Sequence, residues 1–240
     1  MTVPRRSGWL IALSLLAAVL FAGLGVWQLQ RLQWKRALIE RTQRHVNAVP
    51  VAAPTPEDRA GLQAADADYL HVQVTGTFQN GQDTLVQAVT ARGPGFWVMA
   101  PLRTDTGTTV LINRGFVPGD HAARSERVTG EISGRAVVTG LLRQTEPRGG
   151  FLRANRPDED RWYSRDVAAI ASRRGLTNVV PYFIDADSAP NSGGLPIGGM
   201  TVIGFRNQHL QYALTWFGLS LVTMVYAAVA IRGRRADGLD

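Results

Sequence analysis

A single histidine stands in an otherwise uncharged run near the end of the chain. His209 belongs to Asn207-Gln-His-Leu-Gln-Tyr-Ala-Leu-Thr-Trp-Phe-Gly-Leu-Ser-Leu, three residues beyond Arg206. An ionisable group inside an apolar segment of membrane length is by default a functional-site hypothesis. At helical spacing His209, Tyr212, Trp216, Ser220 and Thr223 share one face, with the small Ala213 and Ala227 beside them. Leu210, Leu214, Phe217, Leu221 and Val225 fill the remainder of the circumference. At about 1.5 Å per residue, Trp216 lies about 10 Å deeper than His209, too deep for an interfacial aromatic belt. Imidazole ligates haem iron and aromatic rings line such pockets, so this face could hold a flat aromatic macrocycle. A second reading stays open: the face packs on another span, while His209 and Tyr212 anchor near the headgroups. Ser14, Ala18 and Ala22 form a small-xxx-small ridge suited to that contact.

Other chemistry is thinly represented. The chain has 240 residues and no cysteine, which excludes disulfides, thiolate zinc or copper sites, CxxC redox chemistry and a cysteine nucleophile. Only His45, His71, His121 and His209 are present, and no two share a local metal-ligand spacing. His71 falls on the polar face of a strand, which reads as a solvated position. His45 and His121 lie in polar, loop-like surroundings, and Asp158-Glu159-Asp160 reads as a solvated turn. No dinucleotide, phosphate-loop, nucleophile-elbow or zincin motif occurs, so an enzyme is not supported. The net charge of +7 invites a nucleic-acid reading. Its main basic cluster, Arg31 to Arg44, abuts an apolar span, and interfacial anchoring explains it better.

The elements that must carry these residues are two spans and a domain between them. The mean hydropathy of −0.05 conceals apolar residues heaped at both ends. No charge occurs between Arg6 and Arg31, and a second uncharged run reaches from Asn207 to Ile231. About 20 apolar residues cross roughly 30 Å of hydrocarbon as a helix, so both runs read as transmembrane. The expected order is a tail over 1–7, a first span over 8–29, a domain over 30–206, a second span over 207–231 and a tail over 232–240. A cleaved signal peptide competes for the first run, but Trp27-Gln-Leu-Gln-Arg-Leu-Gln-Trp34 offers no small-x-small cleavage site. Arg5, Arg6, Arg232, Arg234 and Arg235 favour cytoplasmic termini, while Arg31, Lys35, Arg36, Arg41 and Arg44 crowd the opposite flank. Long domains translocate largely regardless of charge, so the expectation is termini in and domain out. The first span begins within ten residues of Met1, leaving no room for a mitochondrial presequence. A bacterial plasma membrane protein with a periplasmic domain is therefore expected.

Between the spans, helical composition continues from Gln30 to His45, and 48–68 is a Pro/Ala-rich linker. Strands are expected at Leu70–Thr75, Thr84–Thr90, Phe96–Leu102, Thr108–Phe116, Arg135–Leu142 and Val179–Ile184. A short helix is expected at Asp166–Arg174, with Gly175 beyond its end, and a Gly/Pro-rich loop over 187–199. The fold class is thus a membrane protein with two transmembrane helices flanking a β-rich α+β domain, built as an antiparallel sheet or small barrel.

Four motifs resemble the Surfeit locus protein 1 family of cytochrome c oxidase assembly factors. They are Leu24-Gly25-x-Trp27-Gln28-Leu29-x-Arg31-x-x-Trp34-Lys35, the Gly/Pro strand Arg92 to Leu102, Arg114-Gly115-Phe116-Val117-Pro118, and Asn207-x-His209-Leu210-x-Tyr212-Ala213-x-Thr215-Trp216-Phe217. The resemblance implies a role in maturing subunit I, with haem a received from haem a synthase. It implies that His209 is the axial ligand of the haem iron and that Trp216 is its neighbour. Tyr212 joins them on residue chemistry, and Arg206 and Arg31, at the domain-side ends of the spans, are candidates for haem propionates. In the alternative, the spans only anchor a docking scaffold for oxidase subunits that binds no haem. Arg114 to Pro118 then forms a turn and surface contact, with Arg114 equally suited to a structural salt bridge and Gly115 to a tight backbone position.

Overall fold

The computed structural model of the chain describes residues 6–55, 58, 67–150, 152–201, 203–204 and 207–236. It divides into a helical unit, up to Arg41 and from Gly204, and a β unit over Thr42–Ile203.

The helical unit holds most of α1 (Arg6–Val46) and the whole of its partner, α3 (His209–Ala236). Both contain segments long and apolar enough to cross a membrane. Their outward faces are hydrocarbon: Leu16, Val19, Leu214 and Val222 are all more than half exposed, a surface suited to lipid rather than water. Their facing sides follow a seven-residue rule. Ile11, Ala18, Gly25 and Leu32 are buried on α1, and Ala213, Ser220 and Ala227 on α3. This is the spacing at which helices supercoil with small residues at close contact. The pair is antiparallel: Gln28 meets His209, Phe21 meets Trp216 and Ala18 meets Ser220.

The β unit is built on a closed ring. Strands β2 (His71–Phe78), β6 (Arg135–Gln144), β9 (Val179–Ala186), β5 (Thr109–Pro118) and β4 (Gly93–Thr104) pair in that order, and β4 pairs back onto β2. Of the expected alternatives, the barrel is the one formed. β3 (Thr84–Thr90) is a hairpin partner of β4, and β1 (Val51–Ala52) lies parallel to β2. That two-residue strand sits inside the segment expected to be linker. A small hairpin of β7 (Gly149–Gly150) and β8 (Arg153–Ala154) stands apart. Not all pairing is antiparallel, because β9 joins β5 in parallel. A parallel neighbour requires a crossover, and the chain between β5 and β9 supplies it through β6 and α2 (Val167–Arg174). Asp166 caps α2 by accepting from the Ala169 amide at 3.1 Å, and Gly175 ends it in the left-handed conformation.

Strand β5 is buried along nearly its whole length because both faces are covered. Val110 and Ile112 join Val72, Leu102, Tyr182 and Ile184 in one core. Leu111 turns the other way, onto Phe183, Trp162 and Ile170 in a second core that includes α2. The Arg114–Pro118 motif is therefore not a surface turn. Phe116 and Val117 are fully buried, and Arg114 bonds the Gly130 carbonyl and the Asn191 side chain at 2.6 and 2.9 Å rather than a carboxylate. Gly115 instead continues the strand expected over Thr108–Phe116 and fills the tight backbone position expected of it. Its φ of +126° and a virtual Cβ 2.1 Å from the Ile197 carbonyl oxygen leave room only for glycine.

Candidate functional site

His209 opens α3, half-buried, with Nδ1 2.8 Å from Oε1 of Gln28 on α1. Among the described residues no other group bonds the ring, and Nε2 has no partner among them. Two turns along α3, Trp216 stacks on Phe21 with centroids 5.6 Å apart and planes inclined by 24°. Further along, the Ser220 hydroxyl donates to the Ala18 carbonyl at 2.8 Å, and Thr223 donates to the Leu219 and Ser220 carbonyls of its own helix. Ser220 and Thr223 are thereby satisfied by backbone and offer a ligand little. The deep half of the face thus packs on α1, and its shallow end presents an imidazole.

The expected site residues separate. His209 and Trp216 come together on the seam. Tyr212 does not, being 52% exposed beside Leu210 and Leu214. The reason is angular: residues seven apart return to nearly the same azimuth, whereas three residues turn 60° short of a full circle. Arg31 is exposed on α1, one turn beyond Gln28, with its guanidinium carbon 4.6 Å from the Trp34 ring centroid. Arg206 lies outside the described residues. Sequence reasoning assigned no role to Gln28 or Phe21, although both sit seven apart on one lane of α1. The signal was available: a polar side chain one turn past Gly25 in an uncharged span needs a partner.

The donor set fits a macrocycle better than a bare metal ion. Among the described residues no cluster of three or more His, Asp or Glu could hold an ion. A lone imidazole suits an iron whose equatorial ligands come from the macrocycle itself. Two residues before His209, the buried Oδ1 of Asn207 has no hydrogen-bond partner among the described residues.

The β unit contains a second polar centre. Asp185, 3% exposed, accepts from Asn113 at 2.7 Å, Arg165 at 3.0 Å and Arg143 at 3.1 Å. Burial opposes ionisation of Glu146, but hydrogen bonds and charge from Arg165 hold it below the usual carboxylate range. A cavity of about 450 Å³ opens over this network, walled by Tyr69, Trp97 and Met200. Two expectations about acidic and histidine residues change here. Asp160 is not simply solvated, since it pairs with Arg174 at 2.7 Å and accepts from Trp162 Nε1 at 2.8 Å. His71 is only 18% exposed and is held at both nitrogens, by the Ala48 carbonyl at 2.8 Å and Asp187 at 2.9 Å. Alternation along β2 put it on the polar face correctly, but the 187–199 loop returns over that face.

Comparison with known proteins gives a consistent picture. The profile of the SURF1 family matches residues 15–221. Surfeit locus protein 1 of Homo sapiens is 37% identical over 226 residues, covering 87% of this chain and 73% of its own length. A SURF1-like protein of Monosiga brevicollis is 35% identical over 250 residues, covering 98% and 93%. Surfeit locus protein 1 of Rattus norvegicus is 36% identical over 217 residues, covering 84% and 69%.

Proposed function

The chain belongs to the SURF1 family, and from that premise we propose that it is an assembly factor for cytochrome c oxidase that binds haem a and hands it over as subunit I matures. Haem a is cargo in this reading, received from haem a synthase within the bilayer. The observation that carries it is the His209 ring, whose Nδ1 is engaged by Gln28 while Nε2 has no partner among the described residues. A single neutral imidazole is a sufficient axial ligand and, without a strong second ligand, one that can let go. Trp216 and Phe21 supply apolar aromatic surface two turns away, and Arg31 and Arg206 supply charge for propionates where the spans meet water.

The membrane we assign is a bacterial plasma membrane. The helix pair is antiparallel, and a Cβ on Gly8 would lie 3.4 Å from the Arg234 guanidinium, so the start of α1 and the end of α3 share one side. Arg232 and Arg234 lie in the last turns of α3 there, and the positive-inside tendency makes that side cytoplasmic. Residues between the spans are then periplasmic.

Spectral titration of the detergent-purified chain with haem a, alongside His209→Ala, tests the proposal. Stoichiometric binding with a Soret band, lost or markedly weakened in His209→Ala, is expected. Equal binding by both proteins removes His209 as the ligand. A colourless chain that still retains oxidase subunits through purification replaces the carrier with a docking scaffold.

A further inference from the structure

We infer that Gln28 is a positioning residue, which fixes the tautomer of His209 so that Nε2 carries the lone pair offered to the haem iron. The inference rests on the haem-binding reading above and adds to it the residue that prepares the ligand.

Packing, not the hydrogen bond, brings the two side chains together. Phe21 and Gln28 lie seven residues apart on α1, and His209 and Trp216 seven apart on α3. Because the helices run antiparallel, the Phe21–Trp216 stack and the Gln28–His209 bond are two rungs of one register. Gly25 locks that register between them: a Cβ there would lie 2.6 Å from the Phe217 ring. Gln28 is therefore delivered to Nδ1 by contacts that persist whatever its own side chain does.

The chemistry follows from what a carboxamide oxygen can do. It accepts only, so an oxygen 2.8 Å from Nδ1 requires the proton on Nδ1. Neutral imidazole has one N–H, and Nε2 is left as the lone-pair donor. Free neutral histidine favours the opposite form, with the proton on Nε2, which cannot ligate a metal through that atom. Nε2 is also the nitrogen left to reach a macrocycle, since Nδ1 is engaged by Gln28 on α1. Metal-ligating histidines are ordinarily held this way by an acceptor on the second nitrogen. In most such sites the acceptor is a carboxylate or a backbone carbonyl. A neutral amide in an apolar surrounding orients the ring but adds little negative charge to it, so the ligand stays of moderate strength. That suits a protein that must release its haem.

Two measurements on the full chain in detergent test this. The first needs no haem: two-bond proton–nitrogen correlation of the chain labelled with ¹⁵N-histidine at alkaline pH, the His209 ring identified by its loss in His209→Ala. The expected pattern is the Nδ1–H form, changing to Nε2–H in Gln28→Met, which keeps the side chain's length. Unchanged thermal unfolding of Gln28→Met would confirm that the helix pair is intact. An Nε2–H ring in the unaltered chain, or no change in Gln28→Met, overturns the inference.

The second is haem a titration with resonance Raman detection of the ferrous iron–histidine stretch. Gln28→Met should weaken affinity about 10- to 100-fold and lower the stretching frequency, whereas Gln28→Glu should raise the frequency. Unaltered affinity and frequency in both variants overturn the inference while leaving His209 as ligand. Absence of an iron–histidine band dependent on His209 overturns the haem-binding reading itself, and with it the role of Gln28 toward iron, even where the Nδ1–H tautomer is found.

Discussion

The Ser220 hydroxyl on α3 donates to the carbonyl oxygen of Ala18 on α1, 2.8 Å away. Both residues belong to seven-residue series of small or apolar side chains buried along the seam. In lipid no hydrophobic gradient drives such helices together, so close backbone approach and interhelical hydrogen bonds must do it. The same approach that permits this bond brings Gln28 to His209 at the shallow end of the pair.

Gly25→Ala is expected to disturb this register, because its Cβ would meet the Phe217 ring at 2.6 Å. Overpacking of this kind costs about 1–3 kcal/mol. Phe217→Ala should recover much of the loss in the double variant, read as thermal unfolding of the helix pair in micelles. Equal destabilisation with and without Phe217 would place the clash elsewhere. Ser220→Ala, by contrast, should cost only about 0.6 kcal/mol, the average for such bonds in membranes.

The stack of Trp216 on Phe21 makes a separable prediction. A double-mutant cycle of Phe21→Leu and Trp216→Leu should give a coupling of about 0.5–1.5 kcal/mol. Tyr212→Phe should leave both stability and haem affinity unchanged, since its side chain points away from the seam. A haem affinity that falls with Tyr212→Phe would mean that the ligand approaches from the exposed side of α3.

What the sequence disclosed depended on how local each signal was. β2 and α2 were legible because alternation over Leu70–Thr75 and the Asp166–Gly175 caps are contained within a few residues. His209 was legible because an ionisable group in an uncharged span stands out. Gln28 was not, because its meaning depends on a partner 181 positions away. β1 was hidden for a related reason: two residues in a Pro/Ala segment become a strand only once β2 offers an edge. For the Arg114–Pro118 motif the strand and the tight position of Gly115 were legible, whereas the surface-turn alternative failed because the close contact of Gly115 is with Ile197, far along the chain.

Asp185 anchors the polar centre of the β unit, and its removal should be severe. Asp185→Ala would leave Arg143 and Arg165 facing each other without the carboxylate that joins them. Breaking a buried ion pair from one side costs about 3–5 kcal/mol. Chemical denaturation should show that loss in the β unit, with the haem spectrum of any folded fraction unaltered. A loss below 1 kcal/mol would mean that water or Glu146 replaces the carboxylate.

His71 gives the fold a defined pH dependence. Both of its nitrogens face acceptors, the Ala48 carbonyl and the Asp187 carboxylate, and only the imidazolium can donate to both. Burial pulls its pKa down, but the Asp187 hydrogen bond, the Ala48 carbonyl and the Asp187 charge together carry it above the ordinary value of 6.5. A raised folded pKa means that the folded state binds the proton more tightly than the unfolded chain. The contribution is therefore complete below about pH 6.5, the unfolded value, and is lost as pH rises through the raised folded value. Asp187 is 43% exposed, so solvent screening limits the effect to about 1 kcal/mol. Denaturant unfolding from mildly acidic to mildly alkaline pH should show stability falling across that window. His71→Gln, which cannot titrate, should flatten the fall while leaving the alkaline stability nearly unchanged. An identical slope in His71→Gln would assign the dependence to another group and remove the strap between the 187–199 loop and Ala48 as its source.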